Sequence, residues 1–333
     1  MNTYVSTPNT GRDGAIHVVA GVLRNNVGEI LITQRLPHAH QGGKWEFPGG
    51  KLEPNEEPGQ ALRRELEEEL GIHVQSIEPR IQIRHDYQDK RVFLDVYDVT
   101  SYNGQPRGRE NQALRWLKLT ELDQFEYPAA NYPVIVSLKL PETYVITGLS
   151  LLGEDLFFRQ LDVLLESGIR LFQFREPSLS PERYLRTARR FIERAHRFDA
   201  KVLLNTGRLT DVNETAADGL HLNSRQLLSC RKRPLPAEYL VAASCHNEEE
   251  LKQAESLRID FVVLSPVQKT GSHPKSPVLG WDRFEQLVGP CCLPVYALGG
   301  MSLDDRLLAR RHGAQGVAVL SAAWLPGETE SAC

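Results

Sequence analysis

Eight short apolar runs in the second half of this 333-residue chain restrict its architecture more than any other feature. They occupy residues 144–146, 171–174, 202–204, 219–222, 240–243, 261–264, 295–298 and 316–320. Helical patterns separate most of them, clearest at 154–167, 181–198, 248–257 and 303–312. A strand followed by a helix, repeated eight times, predicts an α/β unit closed as a (β/α)8 barrel rather than spread as an open sheet. About 180 residues is compact for that fold, so some connecting helices must be minimal.

Residues 15–140 have a different rhythm, with strands mixed around one strong helix. Apolar strand candidates at 15–23 and 29–33 flank Asn25-Asn26-Val27-Gly28, a hairpin-turn sequence. Further strands are expected at 91–99 and 114–117. Pro58 and Gly71 bracket a helix, and a short helix at 133–138 ends the unit. Lys139-Leu140-Pro141-Glu142 reads as a linker. The expected organisation is a tail at 1–14, a domain at 15–140, a barrel at 143–325 and a tail at 326–333.

At 41% hydrophobic and 25% charged, each half can bury a core. A net charge of −4 argues against direct binding to nucleic acid. No apolar run approaches the ~18 residues of a membrane span, and 1–14 lacks a signal-peptide core. The five cysteines form no Cys-x-x-Cys pair, which points to reduced thiols and a cytoplasmic location.

Chemistry concentrates on the bracketed helix, where Glu65, Glu67, Glu68 and Glu69 crowd the C-terminal turns. The macrodipole is negative at that end, and like charges three or four apart repel. Leu62, Leu66 and Leu70 form one stripe, with Glu65, Glu68 and Glu69 on the neighbouring arc. Carboxylates at the rim of a buried face suit Mg²⁺, with Mn²⁺ as a substitute. Such an ion keeps several waters and takes up substrate phosphates. The loop Phe47-Pro48-Gly49-Gly50 lets backbone approach metal and phosphates closely. A solvated acidic helix is the alternative reading.

The whole spacing is Gly50, five residues, Glu56, seven residues, then Arg64-Glu65-Leu66-Glu67-Glu68-Glu69-Leu70-Gly71-Ile72. It resembles the Nudix box at every constrained position. The resemblance implies an α/β/α sandwich around a mixed sheet, beside the α/β barrel. It also implies catalytic roles for Arg64, Glu65, Glu68 and Glu69, and a metal set of Gly50, Glu65, Glu68, Glu69 and Glu110. Arg64 and Glu56 match the box's supporting pair.

Beyond the box, Gln34-Arg35, His38-Ala39-His40, the run Lys44-Trp45-Glu46-Phe47 and the segment from Pro128 through Asn131 to Ile135 resemble the MutT branch, the 8-oxo-dGTP diphosphatases. This implies a substrate site of Arg35, His40, Phe47, Gly49, Asp89, Pro128 and Asn131, with Asn131 addressing the oxidised guanine. An amide offers both a donor and an acceptor to a purine edge. Lys90 departs from the arginine the family tends to place beside the residue matching Asp89, and Arg91 is the neighbouring substitute. The implied reaction is Mg²⁺-dependent conversion of 8-oxo-dGTP to 8-oxo-dGMP and pyrophosphate, which would prevent mutation without contacting DNA. Hydrolysis of another nucleotide, or of a thiamine-pathway diphosphate, is the alternative.

The barrel half resembles thiamine phosphate synthase and its TenI-like relatives, the thiazole tautomerases. Matching pieces are Gln173-Phe174-Arg175-Glu176, Asn205, Gly219-Leu220-His221-Leu222, Ser244-Cys245-His246, Leu298-Gly299-Gly300 and the segment ending at Ser321. They imply a site of Gln173, Arg175, Asn205, His246, Gly299, Gly300 and Ser321, with the last three in a cup for a thiazole phosphate-type ligand. Thr206, Asn223 and Pro177 replace groups the synthase uses for Mg²⁺ and the pyrimidine diphosphate, which argues against thiamine phosphate synthesis. A metal-free proton shift with His246 as acid/base is one expectation; a phosphate-ligand sensor or scaffold is the other.

Overall fold

The structure is a computed structural model that describes residues 14–206, 210–269 and 277–325. Except for Gly14, the two expected tails lie outside the described residues. Internal contacts divide the chain into two compact units, Met1–Lys139 and Leu140–Cys333. Among the described residues no helix is long and apolar enough to cross a membrane.

The first unit runs β1 (Ile16–Leu23), β2 (Ile30–Gln34), β3 (Trp45–Glu46), β4 (Gly49–Lys51), α1 (Pro58–Leu70), β5 (His73–Asp86), β6 (Arg91–Asn103), β7 (Leu114–Leu117) and α2 (Tyr132–Lys139). A mixed sheet has the order β4-β1-β6-β5, with β1 parallel to β6 and antiparallel to β4. A second sheet, β3-β2-β7, is antiparallel throughout. Alternate residues of β1 divide their duties, as the two-residue period of a strand requires. Val19 and Leu23 pack with Ala61, Leu62, Leu66 and Leu70 of α1, whereas Ile16, Val18 and Ala20 line a cleft that Val19 also borders. Leu62, Leu66 and Leu70 are fully buried, each contributing about 2 kcal/mol. Pro58 opens α1 and Gly71 ends it in the left-handed region, where its N–H reaches the Glu67 carbonyl at 3.0 Å.

Two expectations for this unit need correction. The turn at Asn25-Asn26-Val27-Gly28 forms, with Asn25 Oδ1 accepting from the N–H groups of Val27 and Glu29. Its flanking strands do not make a hairpin: one bridge, Arg24 to Ile30, joins them before they enter different sheets. The reason is that β4 and β6 occupy both edges of β1. The strand β5 is an element the sequence did not announce. Its hydrophobic alternation is interrupted around Pro79, where the register with β6 slips. As an edge strand it can carry a proline and bulges at little cost.

The second unit is a closed ring of parallel strands: β8 (Thr143–Ile146), β9 (Leu171–Phe174), β10 (Lys201–Leu204), β11 (Gly219–Leu222), β12 (Leu240–Cys245), β13 (Phe261–Leu264), β14 (Val295–Leu298) and β15 (Gly316–Val319). Around it lie α3 (Leu149–Leu152), α4 (Glu154–Glu166), α5 (Pro181–His196), α6 (Thr210–Thr215), α7 (Ser224–Ser229), α8 (Glu248–Ser256), α9 (Gly280–Val288), α10 (Arg306–Arg311) and α11 (Ser321–Trp324). Several connecting helices are no more than two turns long, which is how the fold fits its length. The helix expected at 303–312 is split, because Ser302 caps a separate 3₁₀ turn, Leu303–Asp305, before α10. Phe157 anchors one wall of the core, stacked on Trp324 at 4.7 Å and on Phe191 at 5.7 Å.

Candidate active site

The glycine strand β4 explains how α1 can press its carboxylates onto backbone. Gly50 lies opposite Val19 of β1, and a Cβ on it would stand 2.2 Å from the Glu65 carboxyl carbon. At Gly49, where φ is +150°, a Cβ would meet the Val19 carbonyl oxygen at 2.1 Å. Only glycine leaves room at either position. The Gly49 N–H donates to Glu69 Oε2 at 3.1 Å.

Arg64 binds the box together. Its Nε and Nη2 donate to the two oxygens of Glu56 at 2.9 and 2.8 Å, its Nη1 to Glu65 Oε1 at 2.9 Å, and its Nη2 also to the Lys51 carbonyl at 3.1 Å. This two-pronged grip holds the Glu56 carboxyl below its ordinary pKa. The terminal carbonyls of α1, which the helix cannot satisfy itself, are taken up by the segment 107–112. Arg109 N–H and Gln112 Nε2 both donate to the Glu69 carbonyl, and Arg107 N–H donates to that of Leu70. That docking carries Glu110 to the acidic cluster.

Burial and mutual repulsion set the electrostatics here. Glu69 is pushed up to about 8, first by burial, then by the Glu46 charge, against the pull of the Gly49 N–H. Burial also raises Glu65, opposed by Arg64 and reinforced by Glu68 and Glu110. Glu46 is raised by burial although Arg35 is ion-paired with it. Glu46, Glu65, Glu69 and Glu110 all line one cleft of ≈390 Å³. Among the described residues no three acidic, histidine or cysteine side chains already converge as a metal cage. The fit to a hard divalent cation lies in the donor chemistry, carboxylate oxygens partly withdrawn from water.

The cleft is also lined by Arg35, His40, Phe47, Gly49, Gly50, Pro128 and Asn131, so these expected residues come together. Arg64, Glu68 and Asp89 do not line it. Arg64 sits behind Glu65. The Glu68 side chain is 58% exposed and lies 3.4 Å from Arg64. Asp89 is 61% exposed and lies 3.4 Å from His40. Lys90 lines the cleft itself, whereas Arg91 is not among the lining residues. Asn131 is buried in a short 3₁₀ turn, Ala129–Asn131, where its Oδ1 accepts a long bond of 3.5 Å from the Phe47 N–H. Phe47 stacks on Tyr127 at 6.4 Å. Glu46, Tyr87 and Gln112 are cleft residues to which sequence reasoning gave no role. Only Glu46 left a local signal, an acid between Trp45 and Phe47 in an apolar strand.

In the barrel the candidate residues sit at or just beyond the C-terminal ends of strands. Gln173 is buried, with Nε2 3.4 Å from the Tyr144 hydroxyl. Asn205 Nδ2 donates to the His221 carbonyl at 2.9 Å. The Arg175 N–H donates to Thr147 Oγ1 at 2.9 Å. His246 is exposed, with Nδ1 2.8 Å from the Ser265 carbonyl. Gly299 and Gly300 both have positive φ, and the Gly299 carbonyl accepts from the Gln268 N–H at 3.0 Å. Ser321 is the exposed first residue of α11. A buried histidine not expected as a site residue lies behind them: His221 contacts Tyr144 Oη at 3.1 Å and Ser244 Oγ at 2.8 Å. Burial, helped by Arg175, holds its pKa down to about 3, so the ring is neutral.

Residues 19–136 match the model for the NUDIX domain, and residues 143–323 match that for thiamine monophosphate synthase. The 8-oxo-dGTP diphosphatase of Escherichia coli (strain K12) is 40% identical over 124 residues, 37% of this chain and 96% of that protein. The CTP pyrophosphohydrolase of the same organism is 37% identical over 120 residues, 36% of this chain and 88% of that protein. The putative thiamine-phosphate synthase 2 of Aquifex aeolicus (strain VF5) is 30% identical over 184 residues, 55% of this chain and 98% of that protein. The chain is therefore a Nudix hydrolase similar to the 8-oxo-dGTP diphosphatases, and through its barrel it belongs to the thiamine monophosphate synthase family.

Proposed function

We propose that the first unit, as a domain of residues 15–140, is a Mg²⁺-dependent pyrophosphohydrolase that converts 8-oxo-dGTP to 8-oxo-dGMP and pyrophosphate. Removing a mispairing precursor would protect replication without the protein binding nucleic acid, in the cytoplasm. The observation that carries this reading is one cleft lined both by the partly buried carboxylates of Glu65 and Glu69 and by the buried Asn131, whose amide meets the Phe47 N–H.

Glu65, Glu68, Glu69 and Glu110, with the Gly50 carbonyl, are the groups that would hold Mg²⁺ or Mn²⁺. The bound ion would neutralise phosphate oxygens and acidify a water. Arg64 fixes the Glu65 carboxylate by its 2.9 Å bond, and Gly49 fixes Glu69. Arg35, although paired with Glu46, adds positive charge to the cleft for the phosphate tail. Asn131 would read the base through its amide, and Phe47 and Pro128 would wall the ring. His40 and Asp89, paired at the cleft edge, would close the nucleotide side.

The similarity to a CTP pyrophosphohydrolase favours a second reading, in which another nucleotide is the substrate. Comparing kcat/KM for 8-oxo-dGTP, dGTP, CTP and hydroxymethylpyrimidine diphosphate separates these. A preference for any of the last three over 8-oxo-dGTP refutes the first.

For the barrel, residues 143–325, the reading is a site for a thiazole phosphate-type ligand built from Gln173, Arg175, Asn205, His246, Gly299, Gly300 and Ser321. Either His246 moves a proton on that ligand, or the barrel senses it for the hydrolase. A change in the full-length protein's hydrolase rate on adding thiazole phosphate supports sensing; turnover of the added ligand supports catalysis.

A further inference from the structure

The hairpin tip between β5 and β6 touches both walls of the nucleotide cleft, and Tyr87 is the residue through which it does so. The Tyr87 N–H donates to the Lys90 carbonyl at 2.8 Å, closing a tight turn. On one side the His40 ring meets Tyr87 edge-on at 5.2 Å, and His40 lies 3.4 Å from Asp89 on the same tip. His85 braces the phenol ring at 4.4 Å. On the other side the Tyr87 hydroxyl accepts from the Ala130 N–H at 3.3 Å. Tyr87 lines the cleft.

Ala130 precedes Asn131 in the three-residue turn Ala129–Asn131. An N–H at the start of such a turn has no partner within it, and here the partner comes from the hairpin tip. The backbone of Asn131 is held within the turn, its N–H donating to the Pro128 carbonyl at 2.9 Å, whereas its side-chain amide has only the long 3.5 Å bond from the Phe47 N–H to Oδ1. Its aim therefore depends on where the turn is held. Burial raises the Tyr87 pKa above its ordinary value, so the hydroxyl stays protonated while its lone pairs accept.

We infer that Tyr87 is a positioning residue for base selection: its hydroxyl, by holding the Ala130 N–H, sets the Asn131 amide against the purine edge. This rests on the base-reading role given to Asn131 above. Discrimination by hydrogen bonds is steep because a misaligned donor or acceptor is left unpaired in a buried site.

The test is a double-mutant cycle on the full chain with Tyr87→Phe and Asn131→Ala, reading kcat/KM for 8-oxo-dGTP and dGTP. Removing one oxygen keeps the ring packing, so Tyr87→Phe should lower the preference for 8-oxo-dGTP about tenfold. The loss should appear in KM for 8-oxo-dGTP rather than in kcat. In the Asn131→Ala background Tyr87→Phe should change the preference no further, because the tyrosine acts through the asparagine. Independent, multiplying losses would overturn the inference and make Tyr87 a direct base contact. An intact preference in Tyr87→Phe, with a reduced one in Asn131→Ala, refutes the role of Tyr87 alone. An intact preference in Asn131→Ala removes the base-site reading, and this inference with it.

Discussion

Replacing Gly50 by alanine is the sharpest probe of the carboxylate cluster. The added Cβ would lie 2.2 Å from the Glu65 carboxyl carbon, against an ordinary contact of at least 3.4 Å, so the carboxyl must retreat by about 1.2 Å. Gly50 is not among the glycines with positive φ, so alanine itself meets no backbone strain there. Retreat strains the 2.9 Å bond from Arg64 to Glu65, and Arg64 cannot follow without loosening Glu56. A displacement of about 1 Å at a reacting group costs roughly 100-fold in rate. Gly50→Ala should therefore lower kcat for Mg²⁺-dependent pyrophosphate release about 100-fold, with little change in melting temperature. Shortening the acid by one methylene opens the space again. Gly50→Ala combined with Glu65→Asp should thus be no worse than Glu65→Asp alone. Activity within threefold of wild type in Gly50→Ala, or losses that multiply in the double variant, would refute the placement of Glu65 at the reaction centre.

Other perturbations address other parts of the molecule. Glu69→Gln should abolish turnover while the fold survives, which pyrophosphate release and circular dichroism together check. In metal-free protein the Glu69 carboxyl, raised to about 8, favours the folded state when protonated. The contribution of Glu69 to stability should accordingly be greatest below the ordinary carboxylate range and be lost as pH rises towards 8. Denaturation in EDTA should show that loss diminished in Glu69→Gln; equal pH dependence would contradict the burial of this charge. At 100 times its dissociation constant, Mg²⁺ should stabilise the first unit by about 2.7 kcal/mol, and Glu65→Gln should blunt the rise in melting temperature. Phe157→Ala should cost the barrel about 3–5 kcal/mol in urea denaturation, since it removes the stacks on Trp324 and Phe191.

What the sequence made legible was whatever is encoded in a local repeat. The strands 171–174, 219–222, 261–264 and 295–298 stand where short apolar runs stood, because strands buried on both faces leave no polar interruption. The helix α1 was equally clear, since Pro58, Gly71 and the leucine stripe are read within one segment. Failures arise where meaning depends on a distant partner. β5 is held by β6 rather than by its own pattern, and the strands beside Asn25 separate because of β4 and β6. Glu46 matters because α1 brings Glu69 to it, and Tyr87 because Ala130 arrives from another part of the chain. Glu68 shows the converse: the spacing puts it on the acidic arc, but the wheel turns its side chain largely to solvent. In the barrel, His246 was visible from its motif, whereas the fully enclosed His221 depends on Tyr144 and Ser244 from other strands.

The ring of the barrel closes when Val317 of β15 pairs with Thr143 of β8. During synthesis β8 must therefore wait for β15, residues 316–319, before its free edge is covered, whereas β1 to β7 find every partner by Leu117. The hydrolase can mature on the ribosome while its neighbour is still open, as domains folding in turn do. A premature stop ahead of Gly316 would then release a working hydrolase tethered to a sheet with two raw edges, and such edges recruit other chains. Loss of the last strand should accordingly reach the cell as aggregation before it reaches the hydrolase as lost catalysis.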